Sequence, residues 1–394
     1  MTTYRQAADQ AFTRLVTLWD KTISFQNGGG GGGFFWMCGN TLHVAIDYLR
    51  MSQQRDSYGF SEDALNFFDK YITNKDPKTW KNDPFWVDDY GWWGIALGQA
   101  YFGADVLGYS ADLKKRLYDH ILNCWIAMNS AWDPSLMKNI DPQVQIYGGV
   151  PNSTDDVTLS GRNCVTNEVY WRLCWTLFDI THDANFLPKD QDAATWFAAG
   201  KKAGVLFNPD GLVNERFKGT KDFNPNWNWL GDQGLFLACC FLNKQFDQNN
   251  LGLNQAISIV KSVQTSRVIS QEIPVLHEEL APYSQFYLDY AGGKGVFMRN
   301  LAELNWYFHN VPGTTYDEWI RTNAAAVWNH RTSEGQFNFF WNNEGTEPQN
   351  WGYNDPMTKA VLQASGLSAL TAASTFNPDT AIPAKVAATA GARD

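Results

Sequence analysis

An all-α protein of helical hairpins closing into an (α/α)6 toroid is the fold class that this sequence predicts. Three observations predict it. Apolar residues recur at helical spacing almost throughout the 394 residues, strand-like alternation is nearly absent, and polar Gly/Pro/Asn-rich gaps separate the periodic stretches. Helices are expected near 4–23, 35–52, 61–73, 87–107, 111–131, 164–181, 190–206, 229–244, 251–264, 295–310, 316–330 and 357–373. The first shows the rule: Tyr4, Ala8, Phe12, Leu15, Val16 and Trp19 fall on one face. Twelve helices without a sheet make six hairpins, too long and too dissimilar for a short-repeat solenoid. Only short stretches such as Phe337 to Trp341 could be extended. A single domain over residues 1–375 and an Ala/Pro-rich tail over 376–394 are expected.

Composition narrows the function. The net charge is −10 and no Lys/Arg-rich run occurs, so nucleic acid is not an expected partner. No apolar run approaches 18 residues and no leader pattern opens the chain, so neither a membrane span nor secretion is expected, and a cytoplasmic monomer is the expectation. Asn152-Ser153-Thr154 is a single glycosylation sequon and weak evidence to the contrary. Six cysteines without a C-x-x-C pair are expected to be buried free thiols, and six histidines without ligand spacing imply no metal and no cofactor. Aromatics are the outlier at 15%. Many lie beside Gly, Asn and Asp, a mixture suited to sugar rings, although a large helical core also uses such bulk.

The most informative feature is Phe85-Trp86-Val87-Asp88-Asp89-Tyr90-Gly91-Trp92-Trp93. Adjacent carboxylates each raise the cost of ionising the other, and aromatic neighbours add desolvation that favours a protonated partner. A protonated acid beside an ionised one is what glycosidic cleavage requires. Neighbours on a helix project about 100° apart, so both can flank one reacting centre. Capping and the helix dipole account for one such Asp at a helix start, and less well for two among so many aromatics. Other features carry less. Six glycines, Gly28 to Gly33, match a dinucleotide-loop search but follow no strand, and read as a flexible loop. The loops 132–163 and 265–293 are long enough to be functional. Asp155-Asp156 reads as a solvated turn.

Trp86 to Trp93 with Ala96-Leu97-Gly98-Gln99-Ala100-Tyr101 resembles the Asp-Asp-x-x-Trp-Trp signature of glycoside hydrolase family 76, the endo-α-1,6-mannanases and related cell-wall transglycosidase-like proteins. Four more stretches are similar to that family, in order: Tyr147-Gly148-Gly149 ahead of Asn167-Glu168, Trp227 to Gly234 with Asp232 where the family has Asn, Lys294 to Arg299, and Phe337 to Trp341. The resemblance spans residues 4 to 373. It implies an (α/α)6 fold, a carbohydrate substrate, and a retaining mechanism with Asp88 as nucleophile and Asp89 as general acid/base. It also implies sugar-binding roles for Trp36, Asn40, Trp92, Asn167, Asp232, Gln233, Lys294 and Trp341. Trp93 is the better core residue of its pair, and Arg299 is a structural ion. An endo-α-1,6-mannanase or transglycosidase is the leading expectation. Two alternatives stay open: a diverged intracellular enzyme using the same carboxylates on another glycan or small molecule, and a non-catalytic glycan-binding protein.

Overall fold

The computed structural model describes residues 1–19, 35–71, 86–137, 145–153, 162–186, 193–220, 223–243, 252–266, 268–270, 273–278, 287–342 and 356–384. The six-glycine run and Asp155-Asp156 lie outside them. Among the described residues the chain is helical. In order the helices are α1 (Tyr4–Leu18), α2 (Phe35–Met51), α3 (Phe60–Tyr71), α4 (Val87–Phe102), α5 (Ala104–Leu107), α6 (Ala111–Ser130) and α7 (Cys164–Thr181). Then follow α8 (Ala193–Lys202), α9 (Leu230–Leu242), α10 (Leu253–Thr265), α11 (Tyr287–Phe308), α12 (Asp317–Asn329) and α13 (Pro356–Phe376). Extended pairing is limited, among the described residues, to isolated antiparallel bridges, and the 337–341 stretch forms no strand.

Two boundaries differ from the expected ones for local reasons. The expected 87–107 helix divides at Gly103, where a Cβ would sit 2.7 Å from the Arg50 side chain. The expected 295–310 helix begins at Tyr287, because Gly293 is inside the helix rather than before it. Glycine is normally costly there, but a Cβ at Gly293 would lie 2.2 Å from Glu278 Oε1 and 2.5 Å from the Trp229 indole nitrogen, so the position excludes any side chain. Where caps are visible they match the sequence. Thr3 and Gln6 form a reciprocal capping box on α1, and Ser110 accepts the Leu113 N–H at 3.1 Å to open α6.

The chain divides into two compact units, each discontinuous in sequence: Met1–Ser24 with Asn228–Ala238 and Ala256–Asp394, and Phe25–Trp227 with Cys239–Gln255. In the second of these, α4 is buried on nearly every side and packs against α2, α6 and α7. Gly91, Gly94 and Gly98 allow the approach, one on each successive turn of one face. A Cβ would meet Val169 at 2.5 Å, Leu173 at 2.7 Å and Thr176 at 2.4 Å, all on α7. In the other unit α13 is buried almost throughout and packs against α1, α11 and α12. Glycine again sets the contact. A Cβ at Gly295 of α11 would lie 2.6 Å from the Ser365 Cα of α13, and one at Gly234 of α9 would lie 2.6 Å from the Phe297 Cα of α11. All six cysteines are free and buried. No helix among the described residues is long and apolar enough to cross a membrane.

Candidate active site

The first turn of α4 carries both Asp88 and Asp89. It is held by a loop rather than by a side-chain cap. Val87 N–H donates to the Asn152 carbonyl at 2.8 Å, and Trp86 forms an isolated antiparallel bridge with Ser153. That loop is fixed in turn by Asn167 on α7. Its Oδ1 accepts the Val150 N–H at 2.8 Å, while Nδ2 donates to the carbonyls of Val150 at 3.1 Å and Asn163 at 2.9 Å. Gly148 and Gly149 make the turn at φ +82° and +111°, where L side chains are strained, and neither has room for a Cβ beside Trp132 or Arg162. Arg162 braces the same region through Asp133 at 2.5 Å and the Ser135 carbonyl at 3.1 Å. Asn167 is therefore a positioning residue for the α4 start: it is fully buried, and its amide is committed to the backbone.

Asp88 is half-buried and Asp89 buried. A helix N-terminus favours negative charge in its first turn. The backing of the pair comes from α2. Trp36 lies against Trp92 with ring centroids 5.1 Å apart, and a Cβ on Gly39 would be 3.1 Å from the Trp93 ring. Burial pushes the Cys38 thiol up to about 12, and the charge of Asp89 adds to the shift. Asn40 follows on the same helix, and its Oδ1 is buried without a hydrogen-bond partner among the described residues. Trp92, expected to face sugar, is 2% exposed and belongs to the core with Trp93. The aromatic side chains open to solvent on these segments are Trp86 at 53% and Tyr147 at 56%. Both stand in the stretches quoted for the resemblance, yet neither was expected in the site, because sequence does not show which member of an aromatic run turns outward.

The remaining expected site residues belong to the other unit. Asp232, Gln233, Lys294 and Trp341 are all buried. Gln233 Nε2 donates to the Trp229 carbonyl at 3.3 Å. The Lys294 ammonium stands 4.0 Å from the Phe339 ring centroid and 5.6 Å from that of Trp341, a placement that cation–π attraction favours. The loop preceding α11 adds a residue that sequence reasoning missed. Glu278 is fully buried, and its Oε1 accepts the Leu230 N–H at the start of α9 at 3.1 Å. Burial raises its pKa to about 8, against the opposing pull of Lys294 and of that N–H. Nothing in the local sequence separates Glu278 from the adjacent Glu279. Glu168 on α7, also fully buried, was quoted beside Asn167 without a role of its own; an i,i+4 spacing to the buried Arg172 within an apolar helix is the signal that would have marked it. No group of three His, Cys, Asp or Glu side chains able to hold a metal occurs among the described residues.

No family model matches the chain, and no curated protein matches it either. Solved structures do. An inactive variant of the alpha-1,6-mannanase GH76A of Salegentibacter sp. HEL1_6, with two consecutive aspartates replaced and alpha-1,6-mannotetrose bound, is 18% identical, with a TM-score of 0.67 over 93% of this chain and 98% of that one. The Lin0763 protein from Listeria innocua is 16% identical, with a TM-score of 0.69 over 95% and 98%. Dfg5 from Chaetomium thermophilum, in complex with glucosamine, is 14% identical, with a TM-score of 0.64 over 92% and 90%. At these identities the likeness establishes the fold. The chain has the all-α (α/α)6 toroid fold of the glycoside hydrolase family 76 structures, as its periodicity predicts and as the resemblance implies.

Proposed function

We propose that the protein is a retaining glycoside hydrolase acting on α-mannosides, with α-1,6-linked mannan as substrate, through Asp88 and Asp89. One observation carries the reading: two consecutive aspartates open α4 of a family 76 fold, and the mannanase structure with bound alpha-1,6-mannotetrose was made inactive by replacing two consecutive aspartates. The two carboxyls of this chain occupy different surroundings, one half-buried and one buried, and a division of labour between acid and nucleophile rests on such a difference. Asp88, the more accessible, attacks the anomeric carbon to form a glycosyl-enzyme. Asp89 protonates the departing oxygen and then takes a proton from the incoming water. The retaining geometry asks for carboxyl groups about 5–5.5 Å apart, within reach of neighbours on a first helical turn. Exposed Trp86, two residues before the nucleophile, offers a face for a sugar ring.

The test is hydrolysis of α-1,6-mannan by the wild type, Asp88→Asn and Asp89→Asn, with the anomeric form of the first product followed by NMR. Activity lost in both variants and a retained anomer are expected. An inverted product, or variants as active as the wild type, would defeat the proposal. Binding of α-1,6-manno-oligosaccharides without turnover by the wild type would instead favour a glycan-binding protein.

A further inference from the structure

Arg14 on α1 and Arg331, two residues past the end of α12, line one pocket of about 450 Å³, whose wall includes Trp328 and whose rim carries Thr332, Ser333 and Glu334. All of these residues belong to one compact unit. Acidic residues outnumber basic ones in this chain by 41 to 31, so a carboxylate partner for any guanidinium is easily supplied. Among the described residues neither arginine has one. Arg14 makes no ion pair and no side-chain hydrogen bond among the described residues, and its Nε is buried without an acceptor. Arg331 lies over the Trp328 ring, 3.5 Å from the centroid, and donates to the Trp328 carbonyl; it too has no carboxylate partner among the described residues. Leaving a buried donor unmet is costly, and two like charges lining one pocket repel each other. An anion in the pocket removes both penalties.

We propose that this pocket binds a small oxyanion-bearing ligand, a phosphorylated or carboxylated molecule of sugar size, with Arg14 and Arg331 as the anion clamp. Guanidinium forks present paired N–H donors that match the oxygens of phosphate or carboxylate. Stacking on Trp328 holds the Arg331 fork in one orientation. The Ser333 hydroxyl, exposed on the 332–335 turn, makes no hydrogen bond among the described residues and is a further donor. A volume of about 450 Å³ falls in the range of small-molecule sites, roughly 300–1,000 Å³, and exceeds what a bare oxyanion fills. Glu334 is exposed at the rim and works against an anion.

The experiment is calorimetric titration of the full chain with glucose 6-phosphate, glucuronate, glucose and inorganic phosphate at low and physiological salt. At least one of the two charged sugars is expected to bind and to weaken with salt, with glucose silent and inorganic phosphate weaker. Arg14→Gln is expected to reduce the affinity about tenfold or more without lowering the melting temperature, since its guanidinium makes no ion pair or hydrogen bond among the described residues. Glu334→Gln is expected to tighten binding. The glucose 6-phosphate and glucuronate arms separate phosphate from carboxylate as the anion. Failure of both to bind, or an affinity indifferent to Arg14→Gln, would overturn the site. Inorganic phosphate binding as tightly as glucose 6-phosphate would overturn the sugar-sized class of ligand.

Discussion

The start of α4 and the Glu278–Lys294 cluster both set ionisable groups among aromatic rings, and they treat the charge differently. At α4 the carboxyls sit in the first turn of a helix, where the dipole favours a negative charge, and Asp88 keeps access to solvent beside an exposed indole. In the other unit Glu278, Asp232 and Lys294 are fully or almost fully buried. There the structure neutralises rather than presents: Glu278 holds its proton up to about 8, and the Lys294 ammonium rests over Phe339. The difference teaches that a pair of acids in the sequence means little until its access is known. Charge at the α4 start stays at a boundary, whereas charge inside is matched by a proton, a ring or a backbone N–H.

The sharpest way to break this comparison is at the accessible pair. On the proposed mechanism, Asp88→Asn should lower turnover about 10³-fold or more on every mannoside substrate, because covalent catalysis would be lost. Asp89→Asn should keep its first step on an activated aryl mannoside, and azide should restore turnover with retained stereochemistry. Steady-state rates and product NMR check both, and an azide-rescued Asp88→Asn product of retained configuration would reverse the two roles.

The buried cluster should respond to pH instead. The folded-state pKa of Glu278 is raised from 4.5 to about 8, so the stability linked to its proton is complete below about pH 4.5 and falls as pH rises to about 8. The linked change is on the order of several kcal/mol. Glu278→Gln keeps an acceptor for the Leu230 N–H and cannot ionise. Its urea-unfolding free energy should therefore fall less between pH 5 and pH 8 than that of the wild type. Parallel curves would mean that Glu278 is not held protonated.

Asn167→Ala tests whether the accessible pair depends on a loop. It leaves the buried N–H and C=O of Val150 without partners, and should cost about 3 kcal/mol in stability. The rate should drop as the α4 start loosens; a fully active variant at temperatures well below its melting point would separate the loop from the site. The smallest effect is expected at Gly98→Ala. Overpacking against Thr176 costs about 1–3 kcal/mol, offset by about 1 kcal/mol of helix propensity. Adding Thr176→Ala should recover the loss, and thermal unfolding of the single and double variants measures it.

Much of this was legible before any coordinates. Helical spacing carries its own geometry, since 3.6 residues per turn writes the buried face directly into the order of apolar residues, and α7 begins and ends where that spacing predicts. The Asp88-Asp89 pair was visible because it stands among aromatics at the start of a helical pattern, unlike Asp155-Asp156 in its polar loop. Other features depend on residues far apart in sequence. Gly293 reads as a helix breaker until Glu278 and Trp229 are found where its Cβ would be. Asn167 reads as a sugar ligand until its amide is found on Val150 and Asn163. Trp92 and Trp86 are alike on paper, yet one is core and the other is open to solvent. Arg14 and Arg331, 317 positions apart, meet in one pocket. The sequence by itself determined the helices, their amphipathic faces and the carboxylate pair, because each is a short-range pattern. Tertiary structure alone decided which polar groups face solvent, which are spent on backbone and which are left unmatched, because burial and hydrogen-bond partners are properties of neighbours in space.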